Sequence, residues 1–119
     1  MRNMQIEEKA KLFKALSDPN RLRILKMLQV RKLCVCEITE VLSLATSTVS
    51  EHLSILKRAG FIIEEKEGKW VNYMINSNCC DTTVASIISM LPFWISNDNT
   101  VSCDIDKINS VDRAKLCCK

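Results

Sequence analysis

The side chains most able to do chemistry are seven cysteines in 119 residues, arranged as Cys34-Val35-Cys36, Cys79-Cys80, Cys103 and Cys117-Cys118. An odd number argues against a disulfide framework, and a reducing compartment keeps thiols reduced, so they read as ligands or sensors. One or two read as small buried hydrophobes. Thiolates select soft ions over magnesium or calcium. Cys34 and Cys36 fall at the expected start of a short helix. Unpaired backbone N–H groups there, with Arg31 and Lys32 nearby, are expected to lower the thiol pKa values. Residues two apart on an ideal helix point nearly opposite ways, so both sulfurs can hold one ion only if this turn distorts. For Cys79-Cys80, a reduced and unengaged pair stands level with a sensing role.

Nucleophilic chemistry is poorly supplied. A thiol enzyme needs a histidine to orient its cysteine, and the single His52 is expected on the core side of a helix, as a structural residue rather than a ligand. A second polar group is better organised: Thr46, Ser47, Thr48 and Ser50 line the first half of that same helix. Short hydroxyl side chains let a helix come close to base edges and phosphates in the DNA major groove.

These residues need a scaffold. Met4 to Leu16 carries Ile6, Ala10, Phe13 and Leu16 at helical spacing, an amphipathic pattern. Asp18 and Pro19 then stop one helix and start another, which runs to about Gln29 with Leu22, Ile24, Leu25 and Leu28 spread around it. A short third helix from about Cys36 to Leu42 meets a fourth near Thr46 through Ser43-Leu44-Ala45, which is helix-turn-helix spacing. Thr48 and Glu51 fit a capping box. On the fourth helix Val49, His52, Leu53 and Leu56 share one face, while Ser47, Ser50, Glu51, Ser54 and Arg58 share the other. After Gly60, Phe61 to Ile63 and Trp70 to Ile75 read as strands around a Glu67-Gly68 turn, a hairpin flanked by Lys66 and Lys69. A last helix is expected over Thr83 to Leu91, and residues 96–119 read as polar and weakly periodic.

The fold class is therefore mainly α (α+β), a winged helix-turn-helix in the order ααααββα. Residues 1–95 form the DNA-binding and dimerisation domain, and residues 96–119 a cysteine-containing tail. One compact core fits the length and the 47% hydrophobic content, and so small a chain is expected to cover its exposed apolar helices by forming a homodimer. The net charge of +3 divides as +4 over residues 1–78 and −1 over the rest, so the basic surplus sits with the part that reads as the DNA-binding body. Met1 to Lys14 mixes charges without an apolar stretch, and Thr83 to Ile95 is too short for a membrane span. A cytoplasmic protein with no membrane association is expected.

Four strings resemble the ArsR/SmtB family of metal-sensing repressors: ALSDPNRLRIL (Ala15 to Leu25), KLCVCEI (Lys32 to Ile38), TSTVSEHLSILKRAG (Thr46 to Gly60) and EGKWVNY (Glu67 to Tyr73). The resemblance covers Lys11 to about Leu91. It implies a dimer built on the first and last helices, with the fourth helix in the major groove of double-stranded operator DNA carrying an inverted repeat. Relatives meet the operator at the positions of Thr46, Ser47 and Ser50, and Glu51 departs from the polar or basic residue often found there. Thr48, Glu51, Ser54, Lys66 and Lys69 complete the expected interface, with Lys57 and Arg58 as further phosphate contacts.

The Cys-Val-Cys segment is that of the family's arsenic-responsive branch. The resemblance thus implies As(III) or Sb(III) as inducer, bound by Cys34 and Cys36, with no organic cofactor. Some relatives supply a third sulfur from the position that is Thr39 here. That ligand is left to Cys103, Cys117 or Cys118, to Cys79 or Cys80, or to a retained hydroxide; Cys103 with Cys117-Cys118 is also a rival site by itself. Family members that sense zinc, nickel or cobalt use His and carboxylate clusters on the last helix, and Thr83 to Leu91 has neither. A redox-responsive or Cd/Pb-responsive repressor on the same scaffold is the alternative, and a thiol enzyme is disfavoured.

Overall fold

A computed structural model describes residues 5–111. The elements run α1 (Ile6–Leu16), α2 (Pro19–Val30), β1 (Leu33–Cys34), α3 (Val35–Leu42), α4 (Thr46–Ala59), β2 (Ile62–Glu67), β3 (Trp70–Ile75), α5 (Thr82–Trp94) and α6 (Asn99–Ile108). This is the expected winged helix-turn-helix, with β1 and α6 in addition. No described helix is long and apolar enough to cross a membrane.

Asp18 starts α2 as the aspartate-proline pair predicts. Its carboxylate accepts the N–H groups of Asn20 at 2.8 Å and Arg21 at 3.3 Å. Ile24, Leu25 and Met27 make α2 the centre of the core, where Leu53 and Leu56 of α4, Phe61, and Val84 and Leu91 of α5 meet it. Each such side chain contributes roughly 1.5–3 kcal/mol by leaving water.

α1 buries a different stripe from the one its periodicity picks out. Leu12, Ala15 and Leu16 pack inward, whereas Ile6 and Phe13 stay 78% and 57% exposed. At the other end of the chain α5 leaves Met90, Phe93 and Trp94 exposed. The apolar residues of α1 therefore serve two faces, and only one is satisfied within the protomer.

Three further expectations need correction. First, the sheet has three strands in the order β1-β3-β2, because the two residues before α3 pair antiparallel with the hairpin, Leu33 with Tyr73 and Cys34 with Asn72. Second, α5 continues through Pro92 to Trp94. Proline cannot donate to the carbonyl four residues back, and that oxygen, on Ile88, accepts Gln29 Nε2 at 3.4 Å instead.

Third, residues 99–108 of the expected tail form α6, which packs on α2 and α3. Asp98 caps it by accepting the Val101 N–H at 3.0 Å, and Val101, Asp104 and Ile108 form its buried stripe. Asp104 is only 2% exposed and takes Arg23 in a two-pronged pair at 2.8 and 2.9 Å. The spacing i, i+3, i+7 was present in the sequence, but with a carboxylate in its middle it reads as polar. Asp104→Asn is expected to lower stability by roughly 2–3 kcal/mol, the loss of a charge-assisted bond that leaves Arg23 partly buried, and to speed amide exchange across α6. A urea midpoint within error of the parent, with unchanged exchange, would show that the pair holds nothing.

Candidate nucleic-acid interface and thiol site

The turn between α3 and α4 sets the direction of α4, the helix expected to meet DNA. Ser43 closes α3 in the left-handed region at φ 56°, its N–H bonded to the Thr39 carbonyl at 2.9 Å. A non-glycine residue there costs about 1–2 kcal/mol, so the surrounding packing must impose the bend. Leu44 is half-buried in this short connection. Ala45 is the N-cap of α4 and offers no side-chain acceptor, so the expected capping box of Thr48 and Glu51 does not form. The helix begins three residues earlier than that box requires. Its first-turn N–H groups receive no side-chain cap, the setting in which helix N-termini receive anions.

Thr46, Ser47, Thr48, Ser50, Glu51 and Ser54 are all exposed along one side of α4, and Val49, Leu53 and Leu56 are buried on the other. His52 is half-buried with Nδ1 at 3.2 Å from Arg21 Nη1, the structural role expected of it. In the wing Lys66 and Lys69 are exposed, Gly68 takes φ 60° in the two-residue turn, and Lys69 Nζ lies 5.0 Å from the centre of the Trp70 ring. Other cations are already engaged: Lys57 pairs with Glu64 of β2, and Lys32 with Glu65 at 3.3 Å. Lys57 is thus held toward the wing rather than offered to phosphate, while Arg58 forms no ion pair among the described residues.

Cys34 is the N-cap of α3 and only 3% exposed. Its sulfur accepts the backbone N–H of Glu37, and Glu37 Oε1 accepts the Cys34 N–H at 3.0 Å, a reciprocal cap with cysteine in the place of serine. Glu37 Oε2 takes Arg31 Nη2 at 3.0 Å, and the same Nη2 reaches the Ile108 carbonyl at the end of α6 at 3.1 Å. Glu37 had not been singled out by the sequence, although Cys34 followed by Glu37 has the spacing of a capping box.

The charge around Cys34 reverses the expected acidity. Burial pushes its pKa above the ordinary 9.0, and the Glu37 carboxylate adds to the rise, outweighing the N–H bonds from Glu37 and Cys36. Arg31 is spent on Glu37 and lends the sulfur no free positive charge. Cys36 is half-buried, one step into α3, and is disulfide-bonded. Cys34, Cys79, Cys80 and Cys103 are outside any disulfide.

Cys36 lines a hollow of about 310 Å³ with Thr39, Glu40, Ser43 and Thr46. The buried Thr39 Oγ1 has no hydrogen-bond partner among the described residues. Cys79 stands elsewhere, beside α1 and the end of α4, and Cys103 is exposed on α6. Cys117 and Cys118 lie outside the described residues. Among those described, no three His, Cys, Asp or Glu side chains gather into a metal-binding group.

Residues 18–64 match the family described as bacterial regulatory protein, arsR family. An HTH-type transcriptional regulator of Methanocaldococcus jannaschii is 43% identical over 86 residues, covering 71% of this chain and 92% of its own. The arsenical resistance operon repressor of Escherichia coli is 30% identical over 105 residues, covering 86% of this chain and 80% of its own. HlyU from Vibrio cholerae superposes with a TM-score of 0.66 at 30% identity, covering 81% of this chain and 100% of its own. A helix-turn-helix with an exposed polar face on α4, followed by a hairpin wing with two exposed lysines, defines the class, a winged helix-turn-helix DNA-binding protein. The chain belongs to the ArsR family and is a transcriptional repressor, not an enzyme.

The raised Cys34 pKa and the likewise raised Tyr73 pKa have a consequence for stability. Tyr73 is shifted by burial first and by the Glu64 charge second, opposed by Lys57. An acid whose folded pKa lies above its unfolded value stabilises the fold below that unfolded value and ceases to as pH rises through the folded one. The urea midpoint of the parent protein is therefore expected to fall from pH 8 to pH 10.5, through the ordinary values of 9.0 and 10.0. It should fall less in Cys34→Ser. A midpoint flat across that range in both proteins would show that neither group is desolvated.

Proposed function

We propose that this repressor acts as a homodimer on an inverted-repeat operator, and that capture of As(III) or Sb(III) by the reduced thiols of Cys34 and Cys36 releases it. The observation that carries this reading is that Cys34 caps α3, the helix that leads within three residues into α4. The arsenical resistance repressor of Escherichia coli, similar over most of this chain, supports the choice of inducer. For the homodimer, the support is the uncovered apolar surface of α1 and α5, where Phe93 is 74% exposed. A two-fold axis through that surface would place two α4 helices in grooves one DNA turn, about 34 Å, apart.

Two thiols fit a trivalent arsenic or antimony hydroxide. Each S–H gives its proton to one hydroxide, which leaves as water while sulfur takes its place, and one hydroxide stays behind. Thr39 lines the hollow with Cys36, and its buried Oγ1 has no hydrogen-bond partner among the described residues; a turn of that side chain toward the hollow would let it hydrogen-bond to the retained group where a third cysteine is missing. No prior thiolate is required, which suits the raised Cys34 pKa.

To share one ion with Cys36, Cys34 must turn its sulfur out of the cap, giving up the Glu37 N–H. Removing an N-cap costs about 1 kcal/mol, and two subunits about 2 kcal/mol, which is roughly a 30-fold drop in operator affinity if fully coupled to α4. Opening the Glu37 and Arg31 contacts would add to it. Release therefore needs both subunits or a wider opening of the α3 N-terminus.

The disulfide on Cys36 favours a second reading, in which oxidation at Cys36 biases the same helix.

Fluorescence anisotropy on a promoter fragment, with a phosphine reductant and no other metal, separates these readings. Arsenite or antimonite should weaken binding at least tenfold in the parent and leave Cys34→Ser/Cys36→Ser tight. Release that persists in that variant and disappears in Cys103→Ser/Cys117→Ser/Cys118→Ser would move the site to the C-terminal segment. Release by cadmium, or by peroxide once the reductant is removed, but not by arsenite would replace the inducer. Ser50→Asp, which sets a carboxylate against phosphate, should abolish binding before any inducer is added; an unaltered footprint would remove Ser50 from the interface.

A further inference from the structure

We propose that the groove between α1, α2 and the C-terminal half of α4 is a second contact to the operator, seating a backbone phosphate. The groove encloses about 490 Å³ and is lined by four cations, Lys11, Lys14, Arg21 and Arg58, with no carboxylate among its lining residues. None of the four forms an ion pair among the described residues. Four like charges around one hollow repel one another, and an anion entering it relieves that repulsion.

Arg21 is already fixed in place. Its Nε donates to the Ala15 carbonyl at 2.6 Å, Nη2 to the Lys14 carbonyl at 3.3 Å, and Nη1 meets His52 Nδ1 at 3.2 Å. These partners orient the guanidinium without neutralising it. The nearby Asp18 carboxylate is turned to the backbone N–H groups of Asn20 and Arg21. Ala15 and Ile55 give the floor an apolar surface that a deoxyribose can rest on.

Position selects the source of the phosphate. Arg58 falls on the same helical face as Ser47, Ser50 and Ser54, so the exposed stripe of α4 runs directly into the groove. A neighbouring hollow of about 330 Å³ shares Lys11 and Arg58 but includes Glu8 and Asp81, so the purely cationic site ends there. A duplex lying along the serines of α4 therefore meets fixed positive charge at the helix end. This role for the groove rests on α4 being the reading helix.

The test is the salt dependence of binding to a mixed-sequence duplex of about 30 base pairs, because neutralised phosphates release counterions whatever the sequence. The slope of log affinity against log salt should become shallower by about 0.9 for each phosphate no longer neutralised, doubled in a homodimer. This is expected for Lys11→Gln/Lys14→Gln and for Arg58→Gln, with circular dichroism unchanged, and not for Lys107→Gln on α6. Slopes equal to the parent's in both groove variants would overturn the proposal. Chemical-shift changes at these residues with inorganic phosphate, at constant ionic strength and with unaltered slopes, would also overturn it, making the groove a small-anion site. If Ser50→Asp binds as the parent does while the groove variants show the shallower slope, the groove takes a phosphate but Ser50 lies outside the interface. A parent protein without salt-dependent binding removes both.

Discussion

The Glu37 carboxylate is the group on which the arrangement of this repressor turns. It is 3% exposed, and both its oxygens are occupied, one by the Cys34 N–H and the other by Arg31. A buried carboxylate without partners would cost several kcal/mol, so β1, the first turn of α3 and Arg31 must stay together. Arg31 carries the restraint further by donating to the last turn of α6 at Ile108. The N-terminus of α3 is in this way tied to the sheet on one side and to the C-terminal helix on the other.

That tie is what the proposed capture of an ion by the cysteine pair would have to disturb. Cys34 is both a capping acceptor and a buried thiol, so any chemistry on its sulfur competes with the hydrogen bonds that start α3. At the other end α3 closes on Ser43 in a left-handed conformation and passes at once to α4. Eight residues of helix thus separate a thiol from the turn into α4 and its exposed hydroxyls, with strain at one end and a replaceable cap at the other. Thr39 and Cys36 face a hollow that Thr46 also lines, so the two ends are neighbours in space as well.

The surfaces divide the work. Exposed apolar residues sit on α1 and α5, exposed hydroxyls on α4, and cations without an ion pair among the described residues around the α1 to α4 groove and the wing. Lys57 and Lys32, which also carry positive charge, are taken by Glu64 and Glu65. Their pairing stiffens the base of the wing and leaves Lys66 and Lys69 at its tip.

Local patterns were enough to determine the five helices through α5 and the hairpin, the Asp18 cap, the inward and outward faces of α4 and the place of His52, because each depends on periodicity or on neighbours three or four residues away; β1, which exists only by pairing with a distant strand, was not among them. The environment of Cys34 was not legible in that way. A helix start beside two basic residues reads as acidifying, and only the fold shows that the sulfur is buried, that Glu37 lies against it and that Arg31 is already occupied. The same holds for α6. Its stripe contains Asp104, which has meaning as a core residue only once Arg23, far away in sequence, is brought to it. Whether a charge is a solvated group or a buried tie depends on partners that the chain supplies from a distance, and tertiary structure alone supplies them.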